Sequence, residues 1–311
     1  MSLMTSKDPK KSLVLFEFDN YIKFLIKLDQ NNKFPKVLLL SGKKGIGKFT
    51  LVNHFLAYIF DKNNYDLEEK TINSQSSYYK QYKNNVFSNI VYLSGSLYQN
   101  VKVEDIRNLK STINKSIVSG GKRYIILDDI ELFNLNSLNA LLKMIEEPSD
   151  KDYFILINNK TKLLIDTIYS RSFELKILIN ETQRKNIIKS LIKQDQLEVS
   201  VDFESLYITP GNFLIFNEIS QKYKIDISEN FLINFEKIIN LYKKDKNLHL
   251  VNFIYYLCDI HFSSLLKNKL RNLDDIIESK YFVMDKINKL VNANLNQNSV
   301  LSSLSSKLSN G

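Results

Sequence analysis

Residues 36–49 read KVLLLSGKKGIGKF, an apolar run followed by a loop that contains Gly42, Gly45 and Gly47 and ends on Lys48. The spacing matches the phosphate-binding loop (P-loop) G-x-x-x-x-G-K. Glycines let such a loop turn tightly and point successive backbone N–H groups at one phosphate. The positive end of the following helix adds to the attraction, and Lys48 would reach the β- and γ-phosphates. The stretch therefore predicts a strand–loop–helix unit of nucleotide-binding ancestry.

The residue after the lysine departs from this motif. An active loop continues with Ser or Thr, whose hydroxyl binds Mg²⁺, and this chain has Phe49 there. Thr50 comes next, but one step along a helix turns a side chain by about 100°, so we do not expect it to replace the lost ligand. Two interpretations stay open: a loop that holds ATP or ADP with weak or no Mg²⁺, and a glycine-rich turn without nucleotide.

Apolar runs recur along the first two-thirds of the chain. They are rich in β-branched and aromatic residues, which is typical of strands buried on both faces of a parallel sheet. Helical stretches lie between them, so we predict an α/β fold with a five-stranded parallel sheet. The candidate strands are Lys36–Ser41, Ile90–Ser94, Tyr124–Asp128, Tyr153–Asn158 and Phe173–Ile177. Between the first two, the polar segment Tyr65–Ser88 is predicted to be a surface connection.

The third candidate strand ends in two acids, Asp128 and Asp129. Carboxylates at the end of a buried strand lie at the carboxyl edge of the sheet, beside the loop that follows the first strand. Where nucleotide is bound, Asp128 is predicted to hold Mg²⁺ through water. Asp129 stands where an active ATPase usually has a Glu to position the attacking water, and its side chain is one methylene shorter.

Composition excludes several classes of protein. The 311 residues include one cysteine, Cys258, which excludes a disulfide framework and fits a reducing, cytoplasmic setting. The sequence has no run of about 18 apolar residues, so we expect no membrane span. The polar stretch Met1–Lys11 is unlike a secretory signal. The net charge of +9 is explained equally well by contact with nucleic acid phosphates and by AT-biased coding.

Several segments of the chain resemble one family. Residues 128–157, DDIELFNLNSLNALLKMIEEPSDKDYFILI, resemble the central block of bacterial clamp-loader subunits of the AAA+ superfamily, of the delta-prime and gamma/tau types. VEDIRNL at 103–109 resembles the block upstream, and LLIDTIYSRS at 163–172 resembles the block that ends in a Ser-Arg-Cys motif. Residues 292–308 resemble the end of delta-prime collar domains, so the resemblance extends from about Leu15 to Leu308.

The resemblance implies three domains: an AAA+ P-loop core over residues 1–178, a small helical lid over 179–225 and an all-α collar for oligomerisation over 226–311. The sequence pattern agrees with this order, because strand signals end before Glu181–Lys193, which has helical periodicity.

Ser170 and Arg171 match the first two positions of Ser-Arg-Cys, and Ser172 replaces the cysteine. In the family this arginine is a trans-acting finger that reaches the nucleotide of the neighbouring subunit, which implies the same role for Arg171. Arginine suits the role because it stays charged and presents a rigid fork of donors. The alternative is a surface arginine in an ordinary salt bridge.

The resemblance also places two sensor positions. Asn159 stands at the polar sensor-1 position at the end of the fourth strand, with Asn158 as the alternative one residue earlier. In the lid, Gly211–Leu214 matches the start of the sensor-2 helix, whose fourth position is Arg in active subunits and Leu214 here.

Family members often hold zinc on four cysteines inserted after the P-loop helix. The segment at that place here, Tyr65–Ser88, has no cysteine, and the three histidines, His54, His249 and His261, are scattered. Structural zinc needs Cys or His ligands, so we expect no zinc.

Phe49, Asp129 and Leu214 depart from the active pattern while Arg171 is kept. This combination implies a delta-prime-type stator of the DNA polymerase III clamp loader, which turns over little or no ATP within a DNA-directed DNA polymerase complex. The implied partners are gamma/tau and delta subunits, the sliding clamp, and primer–template DNA contacted without sequence specificity. The alternatives are an ATP-hydrolysing gamma/tau-type motor and a stand-alone P-loop enzyme such as a nucleotide kinase; the Ser-Arg pair and the helical C-terminal part disfavour the kinase.

Overall fold

The computed structural model describes residues 8–95, 101–114, 120–268, 272–292 and 295–309. Both ends of the predicted domain layout, residues 1–7 and 310–311, lie outside the described residues. The chain forms two compact units, one within Met1–Asp195 together with Thr209–Gly211, the other within Gln196–Ile208 and Asn212–Gly311. The division into core, lid and collar stays a prediction.

The strands belong to the first unit. They are β1 (Val37–Ser41), β2 (Tyr65–Asp66), β3 (Thr71–Ile72), β4 (Ile90–Ser94), β5 (Arg123–Asp128), β6 (Asp152–Asn158) and β7 (Phe173–Lys176). Five of them pair in parallel in the order β4-β5-β6-β1-β7. The predicted five-stranded parallel sheet is confirmed, and each bound lies within one residue of its prediction.

Helices accompany the strands and then continue alone. They are α1 (Asp19–Gln30), α2 (Lys48–Phe60), α3 (Ser77–Lys83), α4 (Val103–Ile113), α5 (Leu135–Glu146), α6 (Asp166–Tyr169), α7 (Glu181–Asp195), α8 (Pro210–Tyr223), α9 (Phe231–Asp245), α10 (Leu248–Lys267), α11 (Leu273–Asn292) and α12 (Gln297–Ser309). None of these helices, over the residues described, has the length and apolar character needed to cross a membrane.

The central strand β1 explains why the sheet is apolar on both faces. Leu38 and Leu40 join one buried core, to which α1 and α2 contribute, whereas Leu39 joins a second core with α4 and α5. All three leucines are fully buried. Burying such a side chain contributes about 1.5–3 kcal/mol, so both helix layers are needed to hold the strand in place.

In the second unit, packed aromatic rings join α8 to α10. Phe216 lies 5.3 Å from Phe253 and 5.4 Å from Tyr256, measured between ring centroids. The Tyr256 hydroxyl donates to the Asp202 carbonyl at 2.6 Å, so the segment before α8 is also fixed to α10. This unit is helical throughout its described elements, as predicted for the C-terminal part of the chain.

The prediction for Tyr65–Ser88 was wrong, because this segment is packed rather than a surface connection. It forms the β2–β3 hairpin and α3, and Tyr78, Tyr79 and Tyr82 are buried. The ring of Tyr78 stacks on Tyr82 at 5.8 Å. The hydroxyl of Tyr82 donates to Asn53 Oδ1 on α2. A tyrosine can bury its ring while its hydroxyl finds a partner. The segment therefore packs through its tyrosine rings although most of its residues are polar.

The two stacked tyrosines should respond in opposite ways to loss of the hydroxyl. The Tyr78 hydroxyl is buried and finds no hydrogen-bond partner in the part of the chain that the structure describes, so Tyr78→Phe should raise the free energy of unfolding by about 1 kcal/mol. Tyr82→Phe should lower it by about 1–2 kcal/mol, because the buried Asn53 Oδ1 loses its donor. Urea denaturation of both variants provides the measurement, and a destabilised Tyr78→Phe variant would contradict the expectation.

Candidate functional site

The P-loop follows β1 at the carboxyl edge of the sheet. Gly45 and Gly47 have φ values of +81° and +106°, which residues with a Cβ rarely adopt. A Cβ on Gly42 would lie 2.5 Å from the carbonyl oxygen of Ile177, just beyond β7. The Gly42 N–H donates to Asn158 at the end of β6. The predicted glycines therefore form a tight turn between the two strands that flank β1.

Lys48 is buried at the start of α2. Its ammonium group donates to the Gly42 carbonyl at 2.7 Å and to the Lys43 carbonyl at 2.8 Å. Burial lowers the pKa of Lys48 to about 8, against the opposing effect of nearby carboxylates, first that of Asp128. The loop lysine is thus held within the loop, at the end of the sheet where the acids lie.

Two carboxylates end β5, as the sequence predicted. Burial, followed by the charge of Asp129, raises the pKa of Asp128 to about 6. Asp129 is buried with φ +50°, and Lys44 of the P-loop lies 3.0 Å from its Oδ1. Asp129, which the sequence placed where an active ATPase usually has its water-positioning Glu, therefore pairs with a lysine of the same chain.

Asn159, rather than Asn158, faces these acids. The Asn159 amide donates to Asp129 Oδ1 at 2.9 Å and to Asp128 Oδ1 at 3.3 Å. The amide of Asn158 instead donates to the Tyr169 hydroxyl at 3.0 Å. Of the two alternatives for the sensor-1 position, the geometry favours Asn159.

A further buried acid, Glu131, was missed in the sequence. Its carboxylate accepts the Asn159 backbone N–H at 3.1 Å and the Thr161 hydroxyl at 2.7 Å. It therefore fixes the segment after β6 that carries Asn159. In the sequence, Glu131 is marked only by its position three residues after Asp128. That spacing corresponds to no motif, so it did not indicate a functional residue.

Phe49 occupies the position where the motif requires a metal-binding hydroxyl. Its ring is buried and packs edge-on against Tyr92 on β4, with 5.1 Å between ring centroids. The Tyr92 hydroxyl in turn donates to Asp128 Oδ2 at 3.4 Å. Thr50, next along the helix, is half-buried. An aromatic pair thus stands beside the acid that would hold Mg²⁺, and these residues do not fit a P-loop magnesium ion.

Gly211, which belongs to the first compact unit, touches the P-loop. The Gly211 N–H donates to the Gly45 carbonyl at 2.7 Å, and a Cβ on Gly211 would lie 2.9 Å from Gly45 Cα. Only glycine allows so close an approach of two backbones. Leu214, at the sensor-2 position, is half-buried and belongs to the second compact unit.

Arg171 is exposed just beyond α6. Its Nε donates to Glu146 Oε1 at 2.7 Å. Its Nη1 makes two contacts of 3.3 Å, to the Thr167 carbonyl and the Ser170 hydroxyl. None of these partners belongs to the P-loop or to the acids after β5. The arginine and the P-loop therefore form two separate candidate sites.

The model of one protein family, described as DNA polymerase III, delta subunit, matches residues 18–181. The chain belongs to this family. A relative named DNA polymerase III subunit delta', from Buchnera aphidicola subsp. Schizaphis graminum, is 27% identical over 91% of this chain and 90% of its own length. The match thus includes the helical C-terminal part.

Two further proteins resemble this chain less extensively or at lower sequence identity. The delta' subunit of Pseudomonas aeruginosa is 35% identical, over 23% of this chain and only 22% of its own length. A solved structure, a DNA polymerase III gamma subunit-related protein from Thermotoga maritima, covers 90% of this chain and 96% of that one with a TM-score of 0.49 and 16% identity.

Asp128 should make stability depend on pH. Its folded-state pKa lies above the ordinary value of 3.8, so the folded protein binds the proton more tightly. The resulting stabilisation is present below about pH 4 and is lost as the pH rises through about 6. Asp128→Asn should remove this loss, which is at most about 3 kcal/mol.

Urea unfolding of wild type and Asp128→Asn between pH 4 and 7 tests this expectation. The exposed Asp150→Asn serves as the matched control. Equal pH slopes for wild type and Asp128→Asn would show that the acid is not perturbed.

Proposed function

We propose that this chain is the delta-prime-type subunit of a bacterial DNA polymerase III clamp loader. It acts as a stator that hydrolyses little or no ATP itself and offers Arg171 to the nucleotide of a neighbouring ATPase subunit. The observation that carries the proposal is the contrast between the two sites. The P-loop has an aromatic ring at its metal position, whereas the arginine is exposed and contacts none of the loop residues.

Three features of the P-loop site oppose hydrolysis. Phe49 supplies no oxygen to a metal ion, and its ring packs against Tyr92, whose hydroxyl donates to Asp128. Asp129 is engaged by Lys44 and by Asn159, so its carboxylate is not available to position a water molecule. A carboxylate that accepts a proton from water must be able to reach it. The loop can still offer backbone N–H groups to a phosphate, which permits binding without turnover.

Arg171 has the chemistry that a finger requires. Negative charge builds up on the phosphoryl oxygens during transfer to water, and a guanidinium group stabilises it with fixed charge and fixed donor geometry. The arginine is about one-third exposed, so a second protein chain can approach it. Such fingers contribute about 10³–10⁵ in rate at the site they serve.

Helix α11 supports assembly with other subunits. Its buried face packs in the second unit, while four large apolar side chains on a neighbouring face are exposed: Leu273, Ile277, Tyr281 and Met284. Their spacing of three or four residues places them on one stripe of the helix, and exposed apolar stripes indicate a protein interface. We propose that gamma/tau and delta subunits cover this stripe.

The remaining partners follow from the proposed complex. A clamp loader acts on the sliding clamp and on primer–template DNA in the cytoplasm. The net charge of +9 favours contact with phosphates, which carries no sequence information. The gamma/tau-type motor is the second candidate, supported by the intact spacing of Gly42 to Lys48 but opposed by Phe49.

ATP turnover by the isolated chain separates the stator from the motor. We expect no Mg²⁺-dependent turnover above background, and therefore no further decrease in Lys48→Ala. Phosphate release at saturating ATP and Mg²⁺ provides the measurement. Turnover that Lys48→Ala abolishes would overturn the stator proposal in favour of the gamma/tau-type motor.

Arg171→Ala should slow ATP hydrolysis by the reconstituted loader. The neighbouring site should lose about 10³-fold in rate, so the total rate should fall by that site's share, while assembly judged by size exclusion stays unchanged. Arg107→Ala is the matched control, because Arg107 is also an exposed arginine in an ion pair, with Glu104. An unchanged rate in Arg171→Ala would remove Arg171 from the mechanism.

A further inference from the structure

We infer that Glu146 is the positioning residue of the Arg171 finger, an inference that rests on the proposed function. Glu146 is the last residue of α5, and its Oε1 lies 2.7 Å from Arg171 Nε. By accepting a hydrogen bond from Nε, the carboxylate fixes the orientation of the guanidinium group. The two terminal nitrogens are then left for a phosphate.

The contacts of the terminal nitrogens fit this division of roles. Nη1 makes only two long contacts of 3.3 Å, to the Thr167 carbonyl and the Ser170 hydroxyl. Nη2 makes no hydrogen bond to the described residues. Two donors that are weakly held or free suit bidentate recognition of phosphate oxygens. The strong contact is at Nε, the nitrogen that a bidentate phosphate contact through Nη1 and Nη2 does not use.

Both partners stand on rigid supports. Leu141 and Ile145 are buried on α5 just before Glu146. Ile168 on α6 is fully buried three residues before Arg171. A site is precise when its side chains are oriented from packed elements and held by hydrogen bonds from a second layer. An arginine side chain carries about 2 kcal/mol of rotamer entropy, so fixing it before the nucleotide arrives lowers the cost of engaging it.

Stability alone gives little reason for a carboxylate at this place. Glu146 lies at the C-terminal end of α5, where the helix dipole disfavours negative charge. The ion pair with Arg171 is more than one-third exposed on both sides, and pairs of this kind contribute at most about 1 kcal/mol. Its orienting effect on the finger is the larger consequence.

The test uses the full reconstituted loader with clamp and primed DNA. The Arg171-dependent turnover is defined as the wild-type rate minus the Arg171→Ala rate. Glu146→Ala should lower this portion about fivefold through kcat, with an unchanged KM for ATP, because positioning errors act on the reacting geometry. Glu146→Gln, which keeps an oxygen acceptor for Nε, should restore most of it.

The adjacent Glu147→Ala is the matched control and should behave as wild type, because Glu147 is exposed at the same helix end and contacts no arginine among the described residues. Glu146→Ala should add nothing in the Arg171→Ala background, and assembly and melting temperature should stay unchanged in all variants.

Three results would overturn this inference while leaving the proposed function intact. Glu146→Ala could turn over ATP at the wild-type rate while Arg171→Ala is slow, or it could turn over ATP faster than wild type. Glu146→Ala could also lower the rate equally in the wild-type and the Arg171→Ala backgrounds. A normal rate in Arg171→Ala would overturn the proposed function and this inference with it.

Discussion

Parallel pairing of β1 with β6 on one side and β7 on the other is the constraint on which the site depends. The register sets Leu40 opposite Ile157 and Ser41 opposite Asn158, so the P-loop after β1 and the segment after β6 leave the sheet at the same level. Strand β5 pairs with β6 in the same direction and delivers Asp128 to that edge. A slip of one residue would move every β1 side chain into the other of the two cores, so the packing of both cores fixes this register.

The charges at this edge are partly paired within the chain. Two lysines of the P-loop meet the acids after β5, with Lys44 paired to Asp129 and Lys48 close enough to Asp128 to perturb its pKa. Buried charges are costly unless they are paired or hydrogen-bonded. Lys44 and Lys48 supply part of this pairing, which fits the proposed stator.

Arg171 is held in a different way from the P-loop lysines. Arg171 is exposed, and its polar partners among the described residues are the Glu146 carboxylate on α5, the Thr167 carbonyl on α6 and the Ser170 hydroxyl just after α6. An exposed cation of this kind costs little to maintain. It can therefore persist while the chain's own P-loop site departs from the pattern of an active ATPase.

The sequence by itself determined the sheet, the P-loop and the acids that end β5, because continuous apolar strands and a glycine loop are local patterns. It also indicated the loss of the metal ligand at Phe49 and the match of Arg171. Only the tertiary structure decided what depends on contacts between distant residues. The prediction for Tyr65–Ser88 was wrong because the sequence does not show whether a tyrosine ring is buried against other residues. The roles of Lys44, Glu131 and Glu146 depend on residues that are distant in sequence, so only the tertiary structure shows them.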